Sequence, residues 1–162
     1  MDLTDNDDPL DLDRQVCFPL YAASNLLNRL YRPILSELGL TYPQYLVMLV
    51  LWKHTPQTVG SLGELLFLDS GTLTPLLKRM ETGGLITRTR DTADERRVLI
   101  HLTQKGRDLR SPALRVPEAL AERLDIDIEE VVRLRDQVSR LVASLHTSSQ
   151  ATGSTSTERK PC

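Results

Sequence analysis

Apolar residues recur at helical spacing in four stretches of the chain, and this pattern predicts a mainly helical protein. The first stretch covers residues 13–38, and two later ones fall within residues 69–83 and 127–145. The second stretch, YLVMLVLW, follows Thr41 and Gln44, which have the spacing of a helix capping box. Because YLVMLVLW is apolar nearly all round, it is predicted to be a buried central helix.

The helix in residues 69–83 is predicted from one apolar face and from clear boundary signals. Asp69 and Ser70 are residue types preferred at helix N-caps, and Gly83 is typical of a helix end. Pro75 fits this helix poorly because proline has no backbone N–H, so local irregularity is expected in the first turns. The apolar face consists of Leu73, Leu76, Leu77 and Met80.

A β-hairpin is predicted directly after this helix. In residues 85–90, small or apolar residues alternate with Arg88 and Arg90, and a second apolar run, residues 98–102, follows the polar turn TADE. Residues 78–110 hold nine Lys or Arg against five Asp or Glu. A polar-faced helix followed by a basic hairpin is typical of a winged helix, which reads a DNA major groove and touches a neighbouring groove or phosphates. The alternative is an ordinary solvated α+β surface.

The connecting segments carry weaker signals. Residues 54–58 are predicted to be a loop, and a short helix is expected over residues 60–66. Thr103 is a candidate N-cap for a helix after the hairpin, and Pro112 and Pro117 predict bends or a break in that helix.

The expected fold class is mainly α with a small β-hairpin wing. A winged helix-turn-helix domain is predicted in residues 41–102. Helices in residues 13–40 and 103–146 are predicted to form a dimerisation region, because their wide apolar faces exceed what a compact winged-helix core can cover. A two-fold homodimer would set two reading units on the half-sites of a pseudo-palindromic operator in double-stranded DNA. Residues 1–12 are predicted to be a disordered acidic N-terminus, and residues 147–162 a disordered tail.

Composition and charge restrict the function classes. The 162 residues suffice for one domain with a sizeable core, and the net charge of −2 is segregated, with six Asp in the first thirteen residues. No signal-peptide pattern and no apolar run of membrane-span length occurs, so a cytoplasmic protein is expected. The two cysteines lie at opposite ends of the chain, and the three histidines share no motif. Neither a disulfide framework, a metal site nor a cofactor is predicted.

Cys17 is a candidate reactive residue because it lies near the predicted start of the first helix. Partial positive charge at a helix N-terminus favours the thiolate, which is the nucleophilic form. The alternative is a buried structural cysteine. Tyr21 follows four residues later on the same helix face. Tyr31 lies about 21 Å from Cys17 along the axis of the same helix. It would therefore reach a Cys17 thiol only across the dimer, from an antiparallel helix of the partner subunit. A peroxide pocket at the subunit junction and simple interface packing both fit this arrangement.

Several segments together resemble a known family. VCFPLYAASN, LYRPIL, LTYPQYLVMLVLW and GELLFLDSGTLTPLLKRMETGGLITRTRDTADERRVLIHLT are similar to the organic-hydroperoxide-sensing repressors (OhrR type) of the MarR family. The resemblance is strong over residues 15–107, weaker through the last helices, and absent from both tails. It implies a homodimeric DNA-binding transcriptional repressor, not an enzyme, with an organic hydroperoxide as inducer. It further implies that Cys17 is oxidised to a sulfenic acid, with hydrogen bonds from Tyr21 and from Tyr31 of the partner subunit.

The resemblance also implies DNA contacts. Arg96 would sit at the wing tip and enter the minor groove, and Asp94 is close enough in sequence to orient it. Arg88 is a further candidate on the basic hairpin. Trp52 and Tyr42 match residues that pack near the sensing pocket, although a core role fits them equally well. The helix expected in the major groove carries the candidate contacts Ser70, Thr72, Thr74, Lys78 and Arg79.

One departure from the family pattern concerns the fate of oxidised Cys17. Some members resolve the sulfenic acid with a second cysteine in the C-terminal helices of the partner subunit. In this sequence the predicted C-terminal helices contain no cysteine. The remaining thiol, Cys162, is a candidate resolving residue on the tail. A low-molecular-weight thiol forming a mixed disulfide is the favoured route. Either modification adds bulk at the dimer junction, which would change the spacing of the recognition helices and release the operator.

Three other interpretations remain open from the sequence. A thiol peroxidase would turn over peroxide catalytically with a thiol reductant, whereas a sensor is oxidised once per thiol. A MarR-type repressor induced by a small aromatic ligand, with Cys17 structural, would stay inducible after Cys17→Ser. A protein-interaction module with no DNA function would bind DNA only non-specifically. Its binding would disappear at moderate salt and would show no preference for an operator.

Overall fold

The protein is described from a computed structural model, which covers residue 8 and residues 10–124 and 126–153. The chain forms two compact units, residues 1–123 and residues 124–162. The described residues of the second unit include helix α8 (Ile128–Gly153). None of the described helices is both long enough and apolar enough to cross a membrane. In chain order, the first unit contains a 3₁₀ turn (Leu12–Arg14), α1 (Cys17–Ser36), α2 (Tyr42–Lys53), β1 (Gln57–Thr58), α3 (Val59–Leu66), α4 (Ser70–Thr82), β2 (Ile86–Arg90), β3 (Val98–Leu102), α5 (Gln104–Asp108), α6 (Arg110–Ala113) and α7 (Val116–Ala121).

Helix α1 begins at Cys17, four residues later than the sequence predicted. Pro19 falls in its first turn, where a backbone N–H has no helical partner to lose. The C-terminal end of the helix is anchored by Ile34 and Leu35, which are buried in the core. The N-terminal half instead leaves large apolar side chains exposed: Val16 just before the helix, then Phe18, Leu20, Tyr21, Leu26 and Leu27.

Helix α2 is the buried central helix that the sequence predicts. Its N-terminus has the predicted capping box, in which the Thr41 backbone N–H donates to Gln44 Oε1 at 2.8 Å. Burial is not complete all round, since Leu49 is 43% exposed and Leu46, Val50 and Trp52 are only partly buried. The buried residues of α2 are Tyr45, Val47, Met48 and Leu51.

Helix α4 has the boundaries that its capping residues predict. Asp69 is the N-cap and Gly83 the C-cap, and Gly84 adopts a left-handed conformation with φ of +72°. The helix runs through Pro75 without interruption. Its apolar face forms the centre of the core, because Leu73, Leu76, Leu77 and Met80 are each at most 3% exposed.

The hairpin is confirmed and is joined by a strand that the sequence analysis missed. The sheet order is β1-β3-β2, and both pairs are antiparallel. Gln57 pairs with Ile100 and Thr58 with Leu99. The prediction of a loop over residues 54–58 is therefore wrong at its end. Two residues carry no periodicity, so only their pairing with β3 makes them a strand.

The helical segment after the wing is broken, as Pro112 and Pro117 predict. It consists of the short helices α5, α6 and α7, and Thr103 caps α5 by accepting the Gly106 N–H at 3.0 Å.

Both predicted tails differ in part from the structure. Helix α8 includes residues 147–153, which were expected to be disordered, and the hydroxyls of Thr147, Ser148 and Ser149 bond carbonyls one turn back. Such bonds let a Ser/Thr-rich segment continue a helix. The remaining tail residues, 154–162, lie outside the described residues. Most of the acidic N-terminus also lies outside the described residues. Within its described part, Asp11 caps the 3₁₀ turn.

Candidate DNA-binding surface and thiol site

Helix α4 presents a polar face opposite the side that enters the core. Because its buried residues follow the helical repeat, the intervening positions project to solvent. Every major-groove candidate from the sequence analysis is exposed on this helix: Ser70, Thr72, Thr74, Lys78 and Arg79.

The start of α4 is fixed by a hydrogen-bonded cap. Asp69 Oδ1 accepts the backbone N–H of Thr72 at 2.8 Å, and Asp69 Oδ2 accepts the Thr72 hydroxyl at 3.0 Å. These hydrogen bonds, led by the one from the Thr72 backbone, lower the pKa of Asp69 below its ordinary value. The carboxylate therefore remains charged and orients the first turn of the helix.

The wing turn between β2 and β3 is closed by its own polar groups. Asp94 Oδ1 accepts the backbone N–H of Arg96 at 3.1 Å, so Asp94 shapes the turn beneath Arg96 through its backbone. The Asp91 N–H donates to the Arg97 carbonyl at 2.9 Å, and Arg97 Nε lies 3.9 Å from Asp91 Oδ2. Arg96 is exposed at the tip of this turn.

Arg88 connects the wing to α4. Its Nε donates to Glu81 Oε2 at 2.8 Å, and about a third of each side chain is exposed. A partly exposed ion pair of this kind contributes little to the stability of the fold, but it orients the Arg88 guanidinium. Arg88 was predicted to bind DNA, and its pairing with Glu81 adds a positioning role that sequence spacing did not indicate.

Three wing arginines and α4 face one groove. The groove has a volume of about 580 Å³ and lies between the wing, α4 and the start of α3. It brings the predicted residues Thr74, Arg88 and Arg96 together with Arg97. Its lining also includes Thr58 and Ser61, which the sequence analysis did not assign.

Cys17 is the first residue of α1 and is exposed. Tyr21, one turn later, is 67% exposed. Tyr31 lies on the same helix but about 21 Å from Cys17 along the helix axis. The chain thus brings Cys17 and Tyr21 to one end of α1 and places Tyr31 far from them. Cys162 lies outside the described residues.

Tyr31 belongs to an aromatic cluster, defined here as Tyr31, Tyr42, Tyr45 and Trp52. The ring centroids of Tyr31 and Tyr42 are 4.6 Å apart, those of Tyr31 and Tyr45 are 6.2 Å apart, and those of Tyr45 and Trp52 are 6.4 Å apart. Sequence analysis singled out Tyr31, Tyr42 and Trp52 but missed Tyr45. The signal was available, because Tyr45 lies one turn after Tyr42 and two turns before Trp52 on α2.

Burial in this cluster alters the acidity of the tyrosines. Desolvation, followed by the neighbouring Tyr42 and Tyr45, raises the pKa of Tyr31 to about 12. Burial also raises the pKa values of Tyr42 and Tyr45. The Tyr31 phenol therefore carries its proton at neutral pH and is able to donate a hydrogen bond.

Comparison with known proteins places the chain in a family. A family model described as "Transcriptional regulator SarA/Rot" matches residues 29–111. The "Organic hydroperoxide resistance transcriptional regulator" of Bacillus subtilis is 46% identical over 139 residues, which cover 86% of this chain and 95% of that protein. The chain belongs to the MarR/SarA family of transcriptional regulators. The resemblance to the OhrR type is thereby confirmed.

Solved structures of MarR/SarA regulators share the fold. Reduced AbfR bound to DNA, from Staphylococcus epidermidis, has a TM-score of 0.73 at 38% identity, covering 84% of this chain and 93% of AbfR. AbfR has also been solved overoxidised on DNA and with a disulfide formed. Wild-type MarR of E. coli has a TM-score of 0.65 at 25% identity, covering 78% of this chain and 96% of MarR. The predicted winged-helix fold is confirmed, and this protein is a DNA-binding transcriptional regulator.

Proposed function

We propose that this regulator is a repressor that senses organic hydroperoxides through oxidation of Cys17 and then leaves its operator. The observation that carries the proposal is the exposed Cys17 thiol at the first residue of α1, with the Tyr21 phenol one turn away. The thiolate of an accessible cysteine is the form that attacks a peroxide. The likeness to a regulator of organic hydroperoxide resistance supports the choice of oxidant.

The chemical step is a two-electron oxidation of sulfur. The Cys17 thiolate attacks one oxygen of the O–O bond, an S–O bond forms, and the O–O bond breaks. The sulfur takes the terminal OH and becomes a sulfenic acid, and the other oxygen leaves as an alkoxide that takes up a proton to give the alcohol. Tyr21 is suited to donate a hydrogen bond to the departing oxygen. In a second step a low-molecular-weight thiol attacks the sulfenic sulfur, which yields a mixed disulfide and water. Cys162 is the alternative resolving thiol.

The functional form is a homodimer. Exposed apolar side chains cover the N-terminal half of α1, and α8 independently carries its own, including Ile128, Val131 and Leu134. Large apolar side chains exposed in such number are typical of a subunit interface. An antiparallel pairing of α1 helices would bring Tyr31 of the partner subunit towards Cys17. The Tyr31 phenol, whose pKa is raised to about 12 by burial, is protonated at physiological pH and is able to donate a hydrogen bond to the oxidised sulfur.

DNA recognition follows from the same dimer. Two α4 helices would enter successive major grooves of a pseudo-palindromic operator, through Ser70, Thr72, Thr74, Lys78 and Arg79. The wing arginines, with Arg96 at the tip, would reach the neighbouring minor groove and phosphates. Added bulk at Cys17 would change the separation of the two reading helices, so that both no longer fit half-sites one helical turn apart.

The test is a DNA-binding titration at fixed salt with the region upstream of the protein's own gene, with and without cumene hydroperoxide. Wild type is expected to release the DNA on oxidation, and Cys17→Ser to remain bound. Cys162→Ser is the matched control. If this variant still releases the DNA on oxidation, Cys162 is not needed for the response. If Cys17→Ser releases the DNA as wild type does, Cys17 is not the sensor and induction by a small aromatic ligand becomes the better explanation.

A stoichiometric measurement separates sensing from catalysis. One hydroperoxide should be consumed per Cys17 thiol when no reductant is present. Continued consumption with an added thiol reductant, at a rate lost in Cys17→Ser, would instead identify a peroxidase.

A further inference from the structure

The start of α5 is held by hydrogen bonds from three directions, and we call residues 103–107 the α5 joint. The first bond comes from α2: the indole Nε1–H of Trp52 donates to the Gly106 carbonyl at 2.8 Å. This bond connects residues 54 positions apart in the chain. It joins the aromatic cluster, through the side chain of Trp52, to the backbone of the joint.

A second set of bonds ties the joint to the end of α4. The Thr103 hydroxyl lies 2.6 Å from the Gly84 carbonyl, and Lys105 Nζ donates to the Gly83 carbonyl at 2.9 Å. These carbonyls directly follow the last turn of α4. Any displacement of the joint therefore acts on the C-terminal end of the recognition helix.

A third set ties the joint to the wing. Arg107 Nη1 donates to the Leu102 carbonyl at 2.7 Å, and the Thr103 backbone N–H donates to the Leu85 carbonyl at 3.1 Å. Leu102 is the last residue of β3 and pairs with Ile86 of β2. The joint thus holds the base of the wing as well as the end of α4.

Close packing leaves the joint little freedom to deform. A Cβ atom added at Gly106 would overlap the Leu85 carbonyl oxygen and would lie 3.1 Å from Leu102 Cδ2. Densely packed contacts of this kind shift between discrete arrangements instead of deforming smoothly. A push at Gly106 is therefore passed to its neighbours.

At the other end, the aromatic cluster reaches Tyr31. The rings of Trp52 and Tyr45 meet in an edge-to-face arrangement, and Tyr45 and Tyr42 both pack on Tyr31. Contacts within the first unit are consequently continuous from Tyr31 through Trp52 and Gly106 to the end of α4 and the wing.

We propose that Trp52 is a positioning residue that couples the Tyr31 cluster to the DNA-reading elements through its hydrogen bond to Gly106. The inference rests on the proposed function, in which Tyr31 contacts the modified thiol of the partner subunit. When the modified sulfur displaces Tyr31, the cluster repacks, and the indole N–H transmits that movement to the α5 joint. The bonds of the joint then shift α4 and the wing together.

The decisive variant is Trp52→Phe, which keeps an aromatic ring and deletes the N–H donor. The quantity to measure is the ratio of the operator Kd of the oxidised protein to that of the reduced protein. The ratio is expected to fall about fivefold relative to wild type, the scale of one neutral hydrogen bond. Mass spectrometry confirms that Cys17 is oxidised equally in both proteins. If both Kd values change by the same factor and the ratio is unchanged, Trp52 is merely structural and the proposal is overturned.

A double-mutant cycle tests whether the contacts form one route. Tyr45→Leu removes the ring between Tyr31 and Trp52 but leaves the bond to Gly106 in place. If the two residues act in series, the ratio of oxidised to reduced Kd should fall no further in the double variant than in the more affected single variant. Fully additive losses would contradict a shared route.

The fluorescence of Trp52 tests the coupling without peroxide, because it is the only tryptophan in the chain. Coupling between two sites is reciprocal, so saturating the reduced protein with operator DNA should change the Trp52 emission. A non-operator duplex should produce a smaller change. Unchanged emission with operator would overturn the proposal even if Cys17 senses peroxide. A DNA-induced change in a protein that ignores peroxide would support the coupling and reject only the sensing function.

Discussion

The winged-helix elements and the two longest helices accommodate their apolar residues differently. The four apolar residues of α4 are at most 3% exposed, and the central helix α2 buries Tyr45, Val47, Met48 and Leu51. In α1, by contrast, Tyr21 is 67% exposed, and in α8 Ile128 is 74% exposed. The winged helix covers most of its apolar side chains with its own chain, with Leu49, Leu65 and Phe67 as exceptions, whereas the N-terminal half of α1 and α8 leave several of theirs exposed.

This difference separates folding from assembly. Burying one large apolar side chain stabilises a protein by about 1.5–3 kcal/mol, so the α4 face alone contributes substantially to the fold. The exposed faces of α1 and α8 contribute nothing comparable until another surface covers them. Substitutions in the winged helix should therefore change stability, and substitutions on the long helices should change oligomeric state and, through it, operator affinity.

The largest effect is expected from Leu27→Glu on the exposed face of α1. A buried charge at the proposed interface would separate the subunits, and losing the second half-site should weaken operator binding on the order of 100-fold. Sedimentation velocity and a DNA titration measure the two effects. Leu27→Met, which keeps an apolar side chain of similar volume, is the matched control and should remain dimeric. A Leu27→Glu dimer with normal affinity would remove α1 from the interface.

The next effect is expected at Gly106 within the winged-helix unit. Gly106→Ala should destabilise the protein by about 3 kcal/mol, because the added methyl group overlaps the Leu85 carbonyl. Urea unfolding measures the change. Gly60→Ala is the control, since its nearest neighbour is Thr58 Oγ1 at 3.9 Å, and it should alter stability by less than about 1 kcal/mol. Equal effects at the two glycines would contradict close packing at the α5 joint.

A smaller effect is expected from Thr103→Val, which keeps the shape of the side chain but removes its hydroxyl. The variant loses the cap to the Gly106 N–H and the bond to the Gly84 carbonyl, which should cost about 1 kcal/mol of unfolding free energy. Thr103→Ser retains the hydroxyl and should stay within a few tenths of the wild-type value. A loss in Thr103→Ser with none in Thr103→Val would mean that the methyl group, and not the hydroxyl, matters.

The last effect concerns stability alone, is confined to alkaline pH and is absent at pH 7–8; it is expected from Tyr31→Phe. The pKa of Tyr31 is raised from 10.0 to about 12 in the folded state, so the folded protein keeps this proton where the unfolded chain loses it. The resulting stabilisation is present below pH 10 and disappears as the pH rises towards 12. Unfolding free energy should therefore fall less steeply between pH 10 and 12 in the variant. Identical slopes would show that Tyr31 is not buried as described, and measurements at pH 7–8 supply the reference.

Local signals explain the elements that sequence analysis predicted correctly. The Thr41–Gln44 capping box, the Asp69 cap and the glycines after α4 each act within a few residues, so their consequences are readable from the chain. The hairpin follows from alternation and a polar turn for the same reason. The roles of Cys17, Tyr21, Tyr31 and the DNA-contact residues remain predictions until the titrations are made.

Features that join distant positions were not readable in this way. Strand β1 exists because Gln57 and Thr58 pair with β3, and the Arg88–Glu81 pair depends on how the wing returns to α4. The helical continuation through residues 147–153 was missed because Ser and Thr are ambiguous between helix and coil.

The sequence by itself therefore determined the family, the winged helix and the candidate thiol, since short-range periodicity, caps and motifs specify them. The tertiary structure alone decided that Trp52 bonds Gly106 and that Tyr31 packs within an aromatic cluster. Such contacts form only after α2, α4, the wing and α5 have packed. Their geometry depends on three-dimensional distance, which separation along the chain does not encode.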